Sequence, residues 1–200
     1  DEFDRIDKIF PSLAWIKTKG EFNDVIALKN GDILLGNING TVYHINHQTF
    51  LTDTIKINNY NTTGSYYFKA MPLNYDSNRN VVYIQSEKTI AQYFFATKTQ
   101  RPIPYLSLFG NAKINDARLD FALDYTGRIW IWIPGYGIRI IDPDKLRCVD
   151  SIRIATRGLI NGDFTRMCYG GNGFMFLQAS NGIVIYNYTK NRSVLLDNRN

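Results

Sequence analysis

Catalysis by a chain of 200 residues needs a nucleophile or proton carrier beside a group that orients it, and the supply here is thin. The two histidines, His44 and His47, lie together at one strand end, with no Ser or Cys set beside them and an orienting acid. His44 reads as a strand residue and His47 as a turn residue. Asp116, Asp120, Asp124 and Asp163 are the carboxylates available for an acid pair of the glycosidase kind, which geometry rather than spacing would have to create. Calcium loops of the DxDxDG type are absent. Gly170-Gly171-Asn172-Gly173 precedes a strand, not a helix, and lacks the lysine of a phosphate loop, so a plain turn is expected. Cys148 and Cys168 lack CxxC spacing and, with two histidines, make no zinc site. They read either as a disulfide in an oxidising compartment or as two small buried apolar residues. No metal and no cofactor is expected.

Composition narrows the classes further. Hydrophobic residues make up 44% and aromatic residues 14% of the chain, a packed globular composition rather than a disordered one. The net charge of +5 comes from scattered Lys and Arg without a dense basic cluster, so a nucleic-acid partner is not indicated. A soluble surface accounts for that charge; a slight preference for anionic ligands is the other reading. No apolar run reaches the roughly 18 residues of a membrane span. The chain opens on Asp rather than Met. It is expected to be a processed or excised piece, for which missing targeting signals carry no information.

The elements that must position any site are strands. Asp124 to Asp144, DYTGRIWIWIPGYGIRIIDPD, reads as a β-hairpin: a turn at Asp124-Tyr125-Thr126-Gly127, the run Ile129 to Ile133, a second turn at Pro134 to Gly137, and a strand stopped by Asp142-Pro143-Asp144. Weaker copies recur. The turn before each central strand falls at Asn30-Gly31, Arg79-Asn80, Thr126-Gly127 and Asn172-Gly173, with second members 49, 47 and 46 residues apart. The turn between the two central strands falls at Asn39-Gly40, Glu87-Lys88, Tyr136-Gly137 and Asn181-Gly182, with last positions 48, 49 and 45 apart. Two independent markers keep one period, that of four-stranded propeller blades. No stretch of helical length shows an i, i+3, i+4 pattern.

The fold class expected is all-β, a β-propeller section of about four four-stranded antiparallel blades. The whole is one segment, 1–200, with blades at roughly 22–57, 66–108, 117–154 and 164–198. In the second blade the first strand is placed at Tyr66 to Met71 and the outermost at Ile103 to Leu108. A leftover outer strand at 2–10 resembles the last strand of an earlier blade, which suggests a section of a larger propeller of seven or so blades; a self-contained four-bladed ring is the other reading.

The third unit carries a family resemblance. Asp124, Gly127, Ile129, Trp130, Ile131, Gly137 and Asp142 form a pattern similar to the two-component regulator propeller repeat. Gly158 to Phe164 looks like a divergent copy of its lead-in loop. The second unit departs most, with Lys88 where the repeat has Gly, and the fourth has Phe174-Met175-Phe176 where Trp would stand. The resemblance implies the periplasmic sensor region of a bacterial hybrid histidine kinase or related regulator. It implies a kinase only elsewhere in the full-length protein, homodimerisation only through the full-length receptor, and membrane attachment only through regions outside these residues.

Propellers bind ligands at loops of one face, those joining second to third strands and outer strands to the next blade. The candidates are Trp132, Tyr136 and Arg139 around the third hairpin turn, and Arg157, Asn161 and Asp163 before the fourth blade, with Asn37, Asn39, Tyr66 and Tyr67 earlier. Aromatic faces beside Asn, Asp and Arg suit sugars, so an oligosaccharide is the expected ligand. Trp130 reads as a blade-packing residue; Trp132 projects the same way on an alternating strand. The function expected is non-catalytic sensing of a carbohydrate. The alternatives are a protein-binding scaffold propeller and a propeller polysaccharide lyase or glycosidase.

Overall fold

The structure, a computed structural model, describes residues 10–19, 21–37, 40–57, 73–85, 89–104, 121–133, 137–152, 166–179 and 182–197. Its strands form four antiparallel sheets of four, each in chain order. The first holds β1 (Phe22–Ala27), β2 (Ile33–Asn37), β3 (Thr41–Ile45) and β4 (Thr52–Lys56). The second holds β5 (Leu73–Asp76), β6 (Val81–Gln85), β7 (Thr89–Phe94) and β8 (Thr99–Pro104). The third holds β9 (Phe121–Leu123), β10 (Ile129–Ile133), β11 (Gly137–Asp142) and β12 (Arg147–Ile152). The fourth holds β13 (Arg166–Gly171), β14 (Phe174–Ala179), β15 (Gly182–Asn187) and β16 (Arg192–Asp197). A 3₁₀ helix, Pro11–Thr18, precedes β1 and lays Trp15 against Tyr43, ring centroids 4.4 Å apart. The chain forms two compact units, Asp1–Pro102 and Ile103–Asn200, with the first two sheets in one and the last two in the other; the division falls within β8.

Turn chemistry sets the period. All four positions aligned from the sequence before the central strands take positive φ: Gly31 at 90°, Asn80 at 53°, Gly127 at 76° and Gly173 at 82°. That backbone region is open to Gly and tolerated by Asn, which is why those two residues mark the repeat. A second positive-φ series closes the hairpin between third and fourth strands: Phe50, Lys98, Leu146 and Asn191, 48, 48 and 45 residues apart. Four residues before three of them stands an Asn or Asp whose side chain caps the turn. Asn46 Oδ1 accepts from the N–H groups of Gln48 and Thr49, Asp142 Oδ1 from those of Asp144 and Lys145, and Asn187 Oδ1 from that of Lys190.

Sheet-on-sheet packing forms the core of each unit. In the first, Leu34, Val42 and Ile55 meet Val82, Ile84 and Tyr93. In the second, Trp130, Trp132, Ile138 and Ile140 meet Met167, Met175, Leu177 and Val184. The second strands β6 and β10 are buried at all five positions, so both of their faces are covered, which accounts for the unbroken apolar run IWIWI. Trp130 packs on Tyr188, 4.9 Å between ring centroids, and donates Nε1–H to Asp124 Oδ2 at 2.9 Å.

Two expectations are corrected. The first described strand of the second sheet is Leu73–Asp76, directly before its turn, while the stretch expected for it, 66–71, lies outside the described residues. The outermost strand begins earlier than expected, as Thr99–Pro104, with 105–108 of the expected 103–108 outside the described residues. The strand holds Pro102 and Pro104, which an outermost strand accepts because one of its edges needs no N–H partner. The cysteines are neither bonded nor buried: both are free and exposed. Cys148 lies on the exposed outer strand β12, and Cys168 alternates with the core residue Met167 on β13. Of the leftover strand expected at 2–10, residues 2–9 lie outside the described residues. The turn expected within Gly170 to Gly173 is Asn172-Gly173, following the end of β13 at Gly171, with Gly171, Asn172 and Gly173 all at positive φ.

Trp130→Phe keeps the aromatic body but removes the indole donor to buried Asp124, and is expected to cost about 1–3 kcal/mol of unfolding free energy in urea titration. An unchanged midpoint would show that the Asp124 contact contributes nothing.

Candidate functional site

Among the described residues of the first unit, Asp32 accepts four hydrogen bonds. Gly31 turns the chain, with its N–H on Leu28 O at 2.9 Å, and delivers Asp32 to the head of β2 at 3% exposure. Gly31 takes φ +90°, which favours glycine, and a Cβ there would also stand a tight 3.3 Å from the His47 ring. His44 on β3 places Nε2 2.8 Å from Asp32 Oδ2, and His47 in the following turn places Nδ1 2.9 Å from Oδ1. The His47 backbone N–H reaches Oδ1 at 3.0 Å and Asn30 Nδ2 reaches Oδ2 at 2.9 Å. Burial pushes the Asp32 carboxyl up, but the bonds from the His47 side chain and backbone, from His44 and from Asn30 outweigh it and hold the group well below the usual carboxylate range. An ionised carboxylate only accepts, so each ring nitrogen facing it carries a proton. His44 is left with Nδ1 for other work.

His44 lines a cleft of about 880 Å³ in the first unit, at the end of the sheets where the first-to-second and third-to-fourth strand turns lie. The first sheet supplies Lys29, Asn30, His44 and Asp53, and the second supplies Tyr75, Asn80, Tyr93, Phe95 and Lys98. Phe95 is met edge-on by Tyr93 at 5.1 Å and 88°, by Tyr75 at 6.4 Å and 87°, and by His44 at 5.6 Å and 65°. Tyr75 donates its hydroxyl to Asn80 Oδ1 at 2.9 Å. Burial, then the nearby Asp53 charge, pushes the Tyr93 phenol up, so it stays a neutral hydroxyl across the physiological range. An aromatic lining with amides, a carboxylate and two ammonium groups is an arrangement for binding a polar ring. Among the described residues no hydroxyl or thiol hydrogen-bonds to His44, so the nucleophile–base contact of acyl or glycosyl transfer is not formed there. Among the described residues no group of three or more His, Cys, Asp and Glu is arranged to hold a metal.

Of the residues proposed from sequence, Trp132, Arg139 and Asn37 are described, and none of the three lines this cleft. Trp132 is 6% exposed and packs with Trp130 in the core, which leaves it little surface for a ligand. Arg139 sits half-buried on β11, across from Ile131 and Ser151, on the face opposite the tryptophans. Asn37 is buried and donates Nδ2–H to Lys19 O at 2.8 Å, a structural role. Tyr136, Arg157, Asn161 and Asp163, with Asn39, Tyr66 and Tyr67, lie outside the described residues. His44 and His47 have the strand and turn positions expected, but sequence reasoning missed their shared acid. The available signal was Asp32 itself, an acid directly after an Asn-Gly turn and at the head of a strand that pairs with His44's strand.

The depressed acidity of Asp32 has a definite sign in stability. Its folded-state pKa lies below the unfolded one, so the contribution is present above about pH 4–5 and is lost as pH falls below that value. Asp32→Asn is expected to cost about 2–3 kcal/mol at neutral pH and to make the fall of melting temperature between about pH 5 and pH 2 shallower. Parallel melting curves for the two proteins across that range would refute the assignment.

No family model matches the sequence and no curated protein is similar to it. Solved structures share its fold. The extracellular domain of BT4673 from B. thetaiotaomicron, described as a hybrid two-component system, matches 92% of the chain with a TM-score of 0.65 at 17% identity. The extracellular domain of BT3049, described in the same way and from the same organism, matches 88% with a TM-score of 0.60 at 17% identity. A catalytically inactive variant of virginiamycin B lyase from Staphylococcus aureus, solved with quinupristin, matches 88% with a TM-score of 0.62 at 13% identity. The chain spans 26% and 23% of the two extracellular domains and 55% of the lyase. The likeness at these identities is one of fold. The chain is a β-propeller section of four four-stranded antiparallel blades, sharing its architecture with extracellular domains of proteins described as two-component systems, as its repeat implied.

Proposed function

We propose that this chain is a non-catalytic recognition segment of an extracytoplasmic sensor, periplasmic in a two-component receptor, and that it binds a carbohydrate. The observation that carries the reading is the first-unit cleft, where Tyr75, Tyr93 and Phe95 line a space also reached by Asn30, Asp53 and Asn80. Sugar rings present C–H faces to aromatic side chains and hydroxyls to amides and carboxylates, and this lining offers both. The fold shared with extracellular domains of two-component systems supports the sensor setting. Signalling would follow from a difference in the ligand's affinity between two states of the full receptor.

A second reading is enzymatic. It is favoured by the fold shared with virginiamycin B lyase and by the His44–Asp32 pair, an oriented imidazole beside the cleft. The two separate in one experiment. Oligosaccharides incubated with the protein and followed by calorimetry and by chromatography of products are expected to show saturable heat with no cleavage. Product release abolished by His44→Ala would replace the sensor reading with the enzymatic one.

A further inference from the structure

We infer that the first-unit cleft selects a saccharide bearing a single negative charge, held between Lys29 and Lys98; this rests on the recognition reading above and specifies its ligand. The two lysines come from different blades, and both are set by turns. Lys29 lies in the β1–β2 turn, and Lys98 occupies the positive-φ position, 53°, that closes the β7–β8 turn. Both line the cleft, and among the described residues neither is in an ion pair. Other turn cations are committed: Arg79 Nη1 lies 2.7 Å from Asp76 Oδ2 and Lys145 Nζ 3.3 Å from Asp142 Oδ2.

One acid lines the cleft and one lies behind it. Asp32 is engaged by His44, His47 and Asn30 behind the cleft, both of its oxygens already accepting two protons each, so its lone pairs are not open to a ligand. Asp53 is the one carboxylate among the described lining residues. Among those residues two ammonium groups thus face one carboxylate, which suits a monoanion placed at the lysines; a dianionic phosphate ester would meet Asp53 and the ionised Asp32 behind it more unfavourably. Asp53 is suited to accepting ring hydroxyls. Sugars with this chemistry are uronic acids and sulfate monoesters, which share the charge and differ in the anionic group. A volume of about 880 Å³ is within the range of small-molecule sites and open enough for one or two sugar rings.

The test is calorimetric titration of the whole chain with matched disaccharide sets: uronic acids of several epimers, their 6-sulfated counterparts and the neutral parents. Each set is repeated on Lys29→Ala/Lys98→Ala and on Phe95→Ala, with thermal melts confirming that both variants fold. At least one charged series is expected to bind about five- to tenfold more tightly than its neutral parent, with the preference lost in the double lysine variant and reduced by added salt. Phe95→Ala is expected to weaken charged and neutral members alike. Preference for the uronate or for the sulfate series decides which anionic group is read. Equal affinity for neutral parents, or a charge preference that survives the lysine substitutions, overturns the inference while leaving carbohydrate recognition in place. Absence of binding by every member overturns both.

Discussion

Three of the four blades rest on short hairpins whose turns are pinned by buried carboxylates. Moving an ionised acid out of water costs several kcal/mol unless its lone pairs are taken up. Three of the four blades do so at the turn between first and second strands. Asp32 draws on two imidazoles, an amide and a backbone N–H. Asp76 accepts from the N–H groups of Asn78 and Arg79 and from the Arg79 guanidinium. Asp124 accepts from Thr126 N and Oγ1, Arg128 N and the Trp130 indole. Asp76 closes its own turn, Asp32 ties its turn to the third strand and the turn after it, and in the third blade Asp124 fixes the orientation of the tryptophan that packs blade on blade. A repeat of about 47 residues thus has a physical cause beyond hydrophobic alternation: every blade must reverse direction at fixed places, and those places carry residues that can adopt positive φ or satisfy a buried charge.

That cause explains what the sequence disclosed. Gly31, Asn80, Gly127 and Gly173 were visible because Gly and Asn are the residues that φ above zero selects, and their spacing alone yields the blade count. The companion series at Phe50, Lys98, Leu146 and Asn191 stayed hidden because three of its four residues are not turn formers. Phe50 stands at a left-handed φ of 55° with its ring tilted against Phe10, 4.4 Å between centroids, and its N–H bonded to Asn46 O. Its readable marker sits four residues earlier, in Asn46, Asp142 and Asn187, whose side chains cap the turns. The second blade lacks that marker, having Phe94 there, and carries Pro102 and Pro104 in its outer strand. It is also the blade whose strand limits moved most between sequence and structure.

The site was less legible than the fold for a related reason. Binding residues were sought in aromatic-rich loops, where sequence contrast is highest. Trp130 and Trp132 turned out to supply the packing of the second unit, so the richest local signal belonged to the core. The cleft instead gathers residues that are individually ordinary: a turn lysine, a strand histidine, an outer-strand aspartate and the tyrosines of the next blade. Asp32 and His44 are 12 residues apart and meet only because β2 and β3 pair with Leu34 opposite His44. Nothing local to either residue announces the contact; antiparallel register creates it.

The same register argues for a division of labour within the first unit. An imidazole held on a carboxylate that never needs to change its charge keeps one tautomer and one orientation, which is a property of a positioning device. His44 is thereby a rigid wall of the cleft, packed edge-on to Phe95, while Lys29 and Lys98 stand on turns with no partner of their own among the described residues. Recognition sites combine such fixed surfaces for shape with uncommitted charges for selection, because rigidity lowers the ordering cost of binding and an unpaired charge gains from a ligand what it lacks in the free protein. A catalytic site would invert this arrangement, aiming its oriented imidazole at a nucleophile or a leaving group. With Nε2 committed to Asp32 and no hydroxyl or thiol among the described residues bonded to Nδ1, His44 has the geometry of the first kind.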